Sequence, residues 1–248
     1  MSFYFGPKQT DKFNARINLR DINSRAKQWD HPIYGLLSFT VSFVKHGRDI
    51  LKVPKREREI YCVSLVALAL REDTKVDWLI HMPSEVETPD GFVATFPTEI
   101  TGAKKGLIRE IEVVEHRDSP EKLSERIRKK MTEKAYNPDT ILVCHIMTTA
   151  IYNLRQLANE LSTIHSTLEH VFVVFSGIIY TGDAPTKEQI QSTYSMVQLL
   201  PTYSETIFDV RPHLSDYEKK RQIGQEALII EGDKIYYATS NRESLGQQ

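Results

Sequence analysis

Two largely apolar runs, Thr140 to Ile146 and His170 to Tyr180, are separated by a stretch in which Ile151, Leu154, Leu157, Ala158, Leu161 and Ile164 keep helical period. Short aliphatic runs of this kind suit strands covered on both faces, a burial that demands helices against the sheet. A strand, a helix and a second strand in succession predict parallel neighbours joined by a right-handed crossover.

The same unit is repeated just upstream. Ser119 followed by Pro120 is a helix start, an N-cap residue before a first-turn proline, and Leu123, Ile127 and Met131 mark one face at four-residue spacing. The opposite face carries Lys122, Arg126, Arg128, Lys129 and Lys130. Before this helix, Val76–Met82, Phe92–Phe96 and Leu107–His116 read as three strands, broken at Pro83–Pro89, at the Asp90-Gly91 turn and at Gly102–Gly106. Their short connections predict an antiparallel meander.

The ends of the chain say less. Residues 1–30 are polar with no persistent period and read as a peripheral arm; Ile33–Val44 reads as a helix. Pro54 stands as a first-turn residue for a buried helix over Lys55–Arg71, whose second half is almost continuously apolar. Downstream, Pro185, Thr186 and Gln189 resemble a capping box opening a helix to about Leu200, with Ile190, Tyr194 and Val197 inward. Glu205–Val210 reads as a strand, and Ala227–Ile230 with Ile235–Ala238 as a C-terminal hairpin across Glu231–Lys234. The expected layout is α/β, with a mixed central sheet and flanking helices. It comprises an N-terminal arm and helical extension over 1–53, a core over 54–210 and a C-terminal hairpin and tail over 211–248, all within one compact domain.

Several function classes are disfavoured. A net charge of −1 over 248 residues argues against bulk attraction to nucleic acid and leaves only local clusters of Lys and Arg to provide it. Cys62 and Cys144 sit among aliphatic residues, as buried thiols of a reducing compartment do. The start of the chain lacks the pattern of a secretory signal, and the longest apolar runs fall far short of the roughly 20 residues that span a bilayer, so a cytoplasmic protein without a membrane partner is expected. The phosphate loop, the dinucleotide glycine fingerprint, the GxSxG elbow, the HExxH helix and the CxxC pair do not occur.

What remains is an order of parts: a helix with an acid near its start (Glu59), a meander, an Asp at the head of its second strand (Asp90), and an acid-x-cation at the end of the third (Glu115, Arg117). This arrangement resembles the PD-(D/E)XK nuclease superfamily, with its restriction-endonuclease-like core, over roughly Pro54 to Tyr180. The resemblance implies a Mg²⁺-dependent (or Mn²⁺-dependent) nuclease hydrolysing DNA phosphodiesters, with Asp90 and Glu115 as metal ligands, Glu59 joining from the helix and Arg117 assisting. Hard oxygen ligands suit such an ion, which activates water and neutralises phosphodiester charge.

The departure from the pattern is Arg117 where the family has Lys: a guanidinium stays protonated and can orient or stabilise charge but cannot act as a base. Other registers offer Glu112 in place of Glu115, or Glu110 with Glu112; because side chains alternate, Glu112 and Glu115 face opposite sides of the strand. Lys122, Arg126, Lys129 and Lys130 are the candidate phosphate contacts. Tyr180, Thr181 and Asp183 are candidate cleft residues. His116 reads as a packing residue. The alternative implied by the same resemblance is a catalytically degenerate nuclease-fold module that binds nucleic acid or a protein partner; a homodimer fits either reading.

Overall fold

The structure is a computed structural model that describes residues 28–83, 89–96, 107–117, 122–133, 136–137, 140–148, 150–168, 170–175, 193–231 and 234–239. Among these are ten strands and five helices. In chain order they are β1 (Gln28–Asp30), α1 (Pro32–Lys45), α2 (Lys55–Thr74), β2 (Leu79–His81), β3 (Gly91–Thr95), β4 (Leu107–His116), α3 (Leu123–Glu133), β5 (Ile141–Ile146) and α4 (Leu154–Leu161). They continue with β6 (His170–Phe175), β7 (Thr193–Leu200), β8 (Ser204–Asp209), α5 (Arg211–Gln222), β9 (Ala227–Glu231) and β10 (Lys234–Ala238). The chain forms two compact units: a central one over Arg109–Val210, and a terminal one whose described residues fall within 28–108 and 211–239.

In the central unit β4, β5 and β6 are parallel neighbours, with α3 and α4 as the two connecting helices, so both strand-helix-strand units are present as expected. β7 then pairs antiparallel with β6, and β8 antiparallel with β7, making the sheet mixed. α3 buries Leu123, Ile127 and Met131, the face its four-residue spacing marks, and α4 buries Leu157, Ala158 and Leu161. These pack on Val114, Cys144, Ile146, Val173 and Val197 from one face of the sheet.

β7 corrects the sequence reading. The segment expected as the end of a helix is a strand over Thr193–Leu200; the capping residues Pro185, Thr186 and Gln189, and Ile190, lie outside the described residues. The reason is double-sided burial. Met196, Val197, Leu199 and Leu200 are all buried, so both faces are apolar and a three-residue spacing appears without a helix.

The terminal unit is antiparallel throughout, in the order β10, β9, β1, β2, β3. The β2–β3 pair of the expected meander and the β9–β10 hairpin are both there. α2 is buried from Arg58 to Leu70, and it runs to Thr74, where Lys75 takes the left-handed conformation at φ 58°. Pro54 sits one residue outside it as N-cap, not in the first turn. α1 crosses α2 at Gly35, where a Cβ would stand 2.2 Å from Ser64 Oγ, so only glycine permits this approach. Trp29, Leu79, Phe96, Leu228 and Ile230 form a separate apolar cluster.

One helix was not anticipated. α5 buries only His213 and Tyr217, neither of them aliphatic, so it carries no apolar stripe that a periodicity search would find. Cys62 and Cys144 are buried free thiols, as expected, and burial pushes the Cys144 thiol up to about 12. No described helix is long and apolar enough to cross a membrane.

Candidate functional site

The acids singled out by sequence fall into both units. In the central unit, alternation along β4 turns Glu112 and Glu115 to opposite faces. Glu112 stands opposite Leu142 in the register, on the face covered by α3, and Lys130 Nζ of that helix donates to its Oε1 at 2.9 Å. The carboxylate is 8% exposed, so this ion pair is what makes its burial tolerable. Glu115 stands beside His145 of β5 on the other face, and Arg117 Nη2 donates to its Oε2 at 2.8 Å.

The basic helix divides in the same way. Arg126 donates to the Glu115 carbonyl and Lys130 to Glu112, so two of the four candidate phosphate contacts tie α3 to β4. Lys122 and Lys129 are exposed, as is Arg128 between them. His116 packs edge-on against Tyr152 at 5.7 Å between ring centroids, in keeping with a packing role.

Glu59 and Asp90 belong to the terminal unit. Glu59 is 7% exposed on α2, with Lys55 Nζ 2.9 Å from its Oε1, an ion-pair distance whose angle does not make a hydrogen bond. Asp90 is half-buried in a bend just before β3. The next residue, Gly91, lies against α2 so closely that a Cβ would meet Val63 Cγ2 at 2.5 Å. Val63 is one helical turn beyond Glu59, so Glu59 and Asp90 flank one helix–strand contact. Among the described residues, no group of three or more His, Cys, Asp or Glu is arranged to hold a metal ion. Tyr180, Thr181 and Asp183 lie outside the described residues.

Two features escape sequence reasoning altogether. The first is an ion network in the terminal unit. Arg71 Nη2 reaches Asp216 Oδ2 at 2.7 Å and Asp77 Oδ1 at 3.0 Å, and Lys220 reaches Asp77 at 2.7 Å and Asp216 at 3.1 Å. His31, 2% exposed, turns Nε2 toward Asp216 Oδ2 at 3.6 Å. Burial pushes His31 down to about 4, and Lys220 and Arg71 add to this against the opposing pull of Asp216. The His31 ring facing it, with Arg71 and Lys220, holds the Asp216 carboxyl well below the usual carboxylate range. Arg71 and Asp216 lie 145 positions apart, and His31 is farther still from Asp216, so the signal available was at most Asp216 and Lys220 at i,i+4 on a helix not foreseen.

The second is a cavity of about 890 Å³ in the central unit, at the carboxyl ends of β5 and β6. Tyr152, Arg155, Phe175, Ser195, Tyr203 and Glu205 are among its walls. The Arg155 guanidinium lies over the Tyr203 ring at 4.8 Å, and the Tyr203 hydroxyl donates to Glu205. Burial, then that hydrogen bond, pushes the phenol up to about 12, so it remains a donor.

Compared with protein-family models, curated proteins and solved structures, the chain finds no match.

Proposed function

We propose that the chain is a nuclease-fold protein acting on DNA, in the form of a binding module that holds the duplex without cutting it. The observation that carries this reading is the state of the acids. Glu115 is neutralised by Arg117 at 2.8 Å, Glu112 by Lys130 at 2.9 Å and Glu59 by Lys55 at 2.9 Å. A carboxylate held by a cation competes poorly as a ligand for Mg²⁺, which takes few protein oxygens and demands near-octahedral geometry. With no group of three ligands among the described residues either, those residues do not fit a resident Mg²⁺. Lys122, just before α3, and Arg128 and Lys129 on it are exposed, a local source of phosphate contacts in a chain of net charge −1.

A second reading, a metal-dependent nuclease with Asp90 and Glu115 as ligands, is favoured by a different observation: Glu59 and Asp90 flank one helix–strand contact, as the resemblance implies. A cytoplasmic location and a homodimer accompany both readings as proposals.

Fluorescence anisotropy with labelled duplex DNA tests the first reading. Binding should weaken with salt at about 0.9 log units per log unit of salt for each phosphate neutralised, and Lys122→Ala with Lys129→Ala should reduce that slope by about 2. No binding at low salt, or a slope indifferent to both lysines, would sink it.

A further inference from the structure

We propose that the cavity at the carboxyl ends of β5 and β6 is a binding site for a phosphorylated nucleoside. The assignment stands on the cavity and does not need the nuclease-fold reading. It starts from position. In open α/β sheets, ligands bind in the crevice outside the carboxyl ends of parallel strands. Phe175 is the last residue of β6, and Ala150 and Tyr152 follow β5 on its way into α4, so the cavity opens beside those carboxyl ends and extends along the sheet face that α4 covers. About 890 Å³ is within the range of sites that take a ligand of nucleotide size.

The floor is built by register. Ser195 of β7 pairs with Ile207 of β8, and Val197 with Glu205, so these four side chains share one face of the sheet, with Val173 of β6 opposite Val197. Phe175, two positions on from Val173, extends this face, and Tyr152 supplies a second aromatic wall. A flat organic body is what such walls accept, since aromatic side chains stack on any ring with a π-face.

The anion end is Arg155. Its guanidinium carbon lies over the Tyr203 ring at 4.8 Å from the centroid, and the group carries five N–H donors in a fork that suits a bidentate oxyanion. Among the described residues no carboxylate forms an ion pair with it. Arg155 is also the second residue of α4, whose cap Asn153 takes the Gln156 N–H at 3.0 Å. The N–H groups of Leu154 and Arg155 occupy positions that have no partner within a helix, and the helix dipole adds positive potential beside them. Glu205, which holds the Tyr203 hydroxyl, remains an acceptor for ribose hydroxyl or base amino groups. Cation edge, aromatic walls and a carboxylate acceptor together match a phosphate, a base and a sugar.

The phosphorylated nucleoside could be free or could be the 5′ terminus of a strand. Calorimetric titration of the full chain separates these. The ligands are dAMP and dCMP, the same nucleosides without phosphate, inorganic phosphate, and a single-stranded oligonucleotide with a 5′-phosphate or a 5′-hydroxyl. The proposal expects a mononucleotide, a 5′-phosphorylated strand, or both to bind more tightly than nucleoside or phosphate. Binding of the mononucleotide alone assigns the free ligand, and preference for the phosphorylated strand assigns the terminus. Arg155→Gln, at an exposed position, should remove at least about tenfold of the phosphate advantage and leave nucleoside binding unchanged. Ser195→Leu, which fills the floor, should weaken every organic ligand. No binding of any phosphorylated ligand to the wild-type chain, or binding indifferent to Arg155→Gln in a variant of unchanged circular dichroism, overturns the assignment.

Discussion

His31 should make the terminal unit lose stability on mild acidification, and the structure sets the size of the effect. The ring is buried, its Nδ1 accepts the Ile33 N–H at 3.2 Å as N-cap of α1, and its Nε2 faces Asp216. In the unfolded chain it takes up a proton near 6.5, but in the fold only near 4. Between those values the unfolded state binds more protons, so stability is fully present above 6.5 and falls as pH drops toward 4. The difference of about 2.5 units, at about 1.36 kcal/mol each, gives a loss on the order of 3 kcal/mol. His170, also held near 4, and His213, held below its usual value, titrate in the same direction, so the His31 share must be isolated by difference. His31→Asn does this, because Asn keeps a capping oxygen for α1 while removing the titration. Both tryptophans, Trp29 and Trp78, lie buried in the terminal unit, so urea denaturation followed by tryptophan fluorescence reads this unit. Between about pH 7 and pH 4 the wild type should lose on the order of 3 kcal/mol more than the variant. Parallel pH profiles for the two proteins would refute the reasoning.

Three further expectations follow from packing and charge. Lys130→Ala leaves the Glu112 carboxylate buried beside its lost partner and should cost about 1–2 kcal/mol by urea denaturation, discounted because Lys130 is 31% exposed, whereas Lys129→Ala should stay within about 0.5 kcal/mol. Gly35→Ala pushes a methyl into Ser64 and Ile60 where α1 crosses α2, and a drop of about 1–3 kcal/mol is expected in the same assay. Neither cysteine should react with an aromatic disulfide reagent in the native protein, and both should react in urea, since Cys62 and Cys144 are fully buried and the Cys144 thiol stays protonated.

The parts of the fold legible in the sequence are those where one face is apolar and the other is not. α3 was marked by Leu123, Ile127 and Met131 against its lysines, and β5 and β6 by short, largely apolar runs, so the parallel units followed from local pattern. β7 failed because its two buried faces erase the alternation that distinguishes a strand. α5 failed because its burial is carried by His213 and Tyr217 and its anchoring by ion pairs to Arg71 and Asp77, both distant in sequence. For the candidate acids of β4, the sequence indicated which faces they take and not which cations pair with them. That Glu112 and Glu115 face opposite ways followed from the strand, but nothing local revealed that Lys130 would take one and Arg117 the other.

The most direct test of the DNA-binding reading is a single sample in which binding and cleavage are read together: labelled single- and double-stranded DNA and RNA with the chain in Mg²⁺, Mn²⁺ or EDTA, alongside Asp90→Ala and Glu115→Ala. The account predicts salt-sensitive DNA binding that persists in EDTA, no cleavage in either metal, and binding retained by both variants. Cleavage that requires metal and is abolished by both substitutions would contradict it and establish the catalytic alternative.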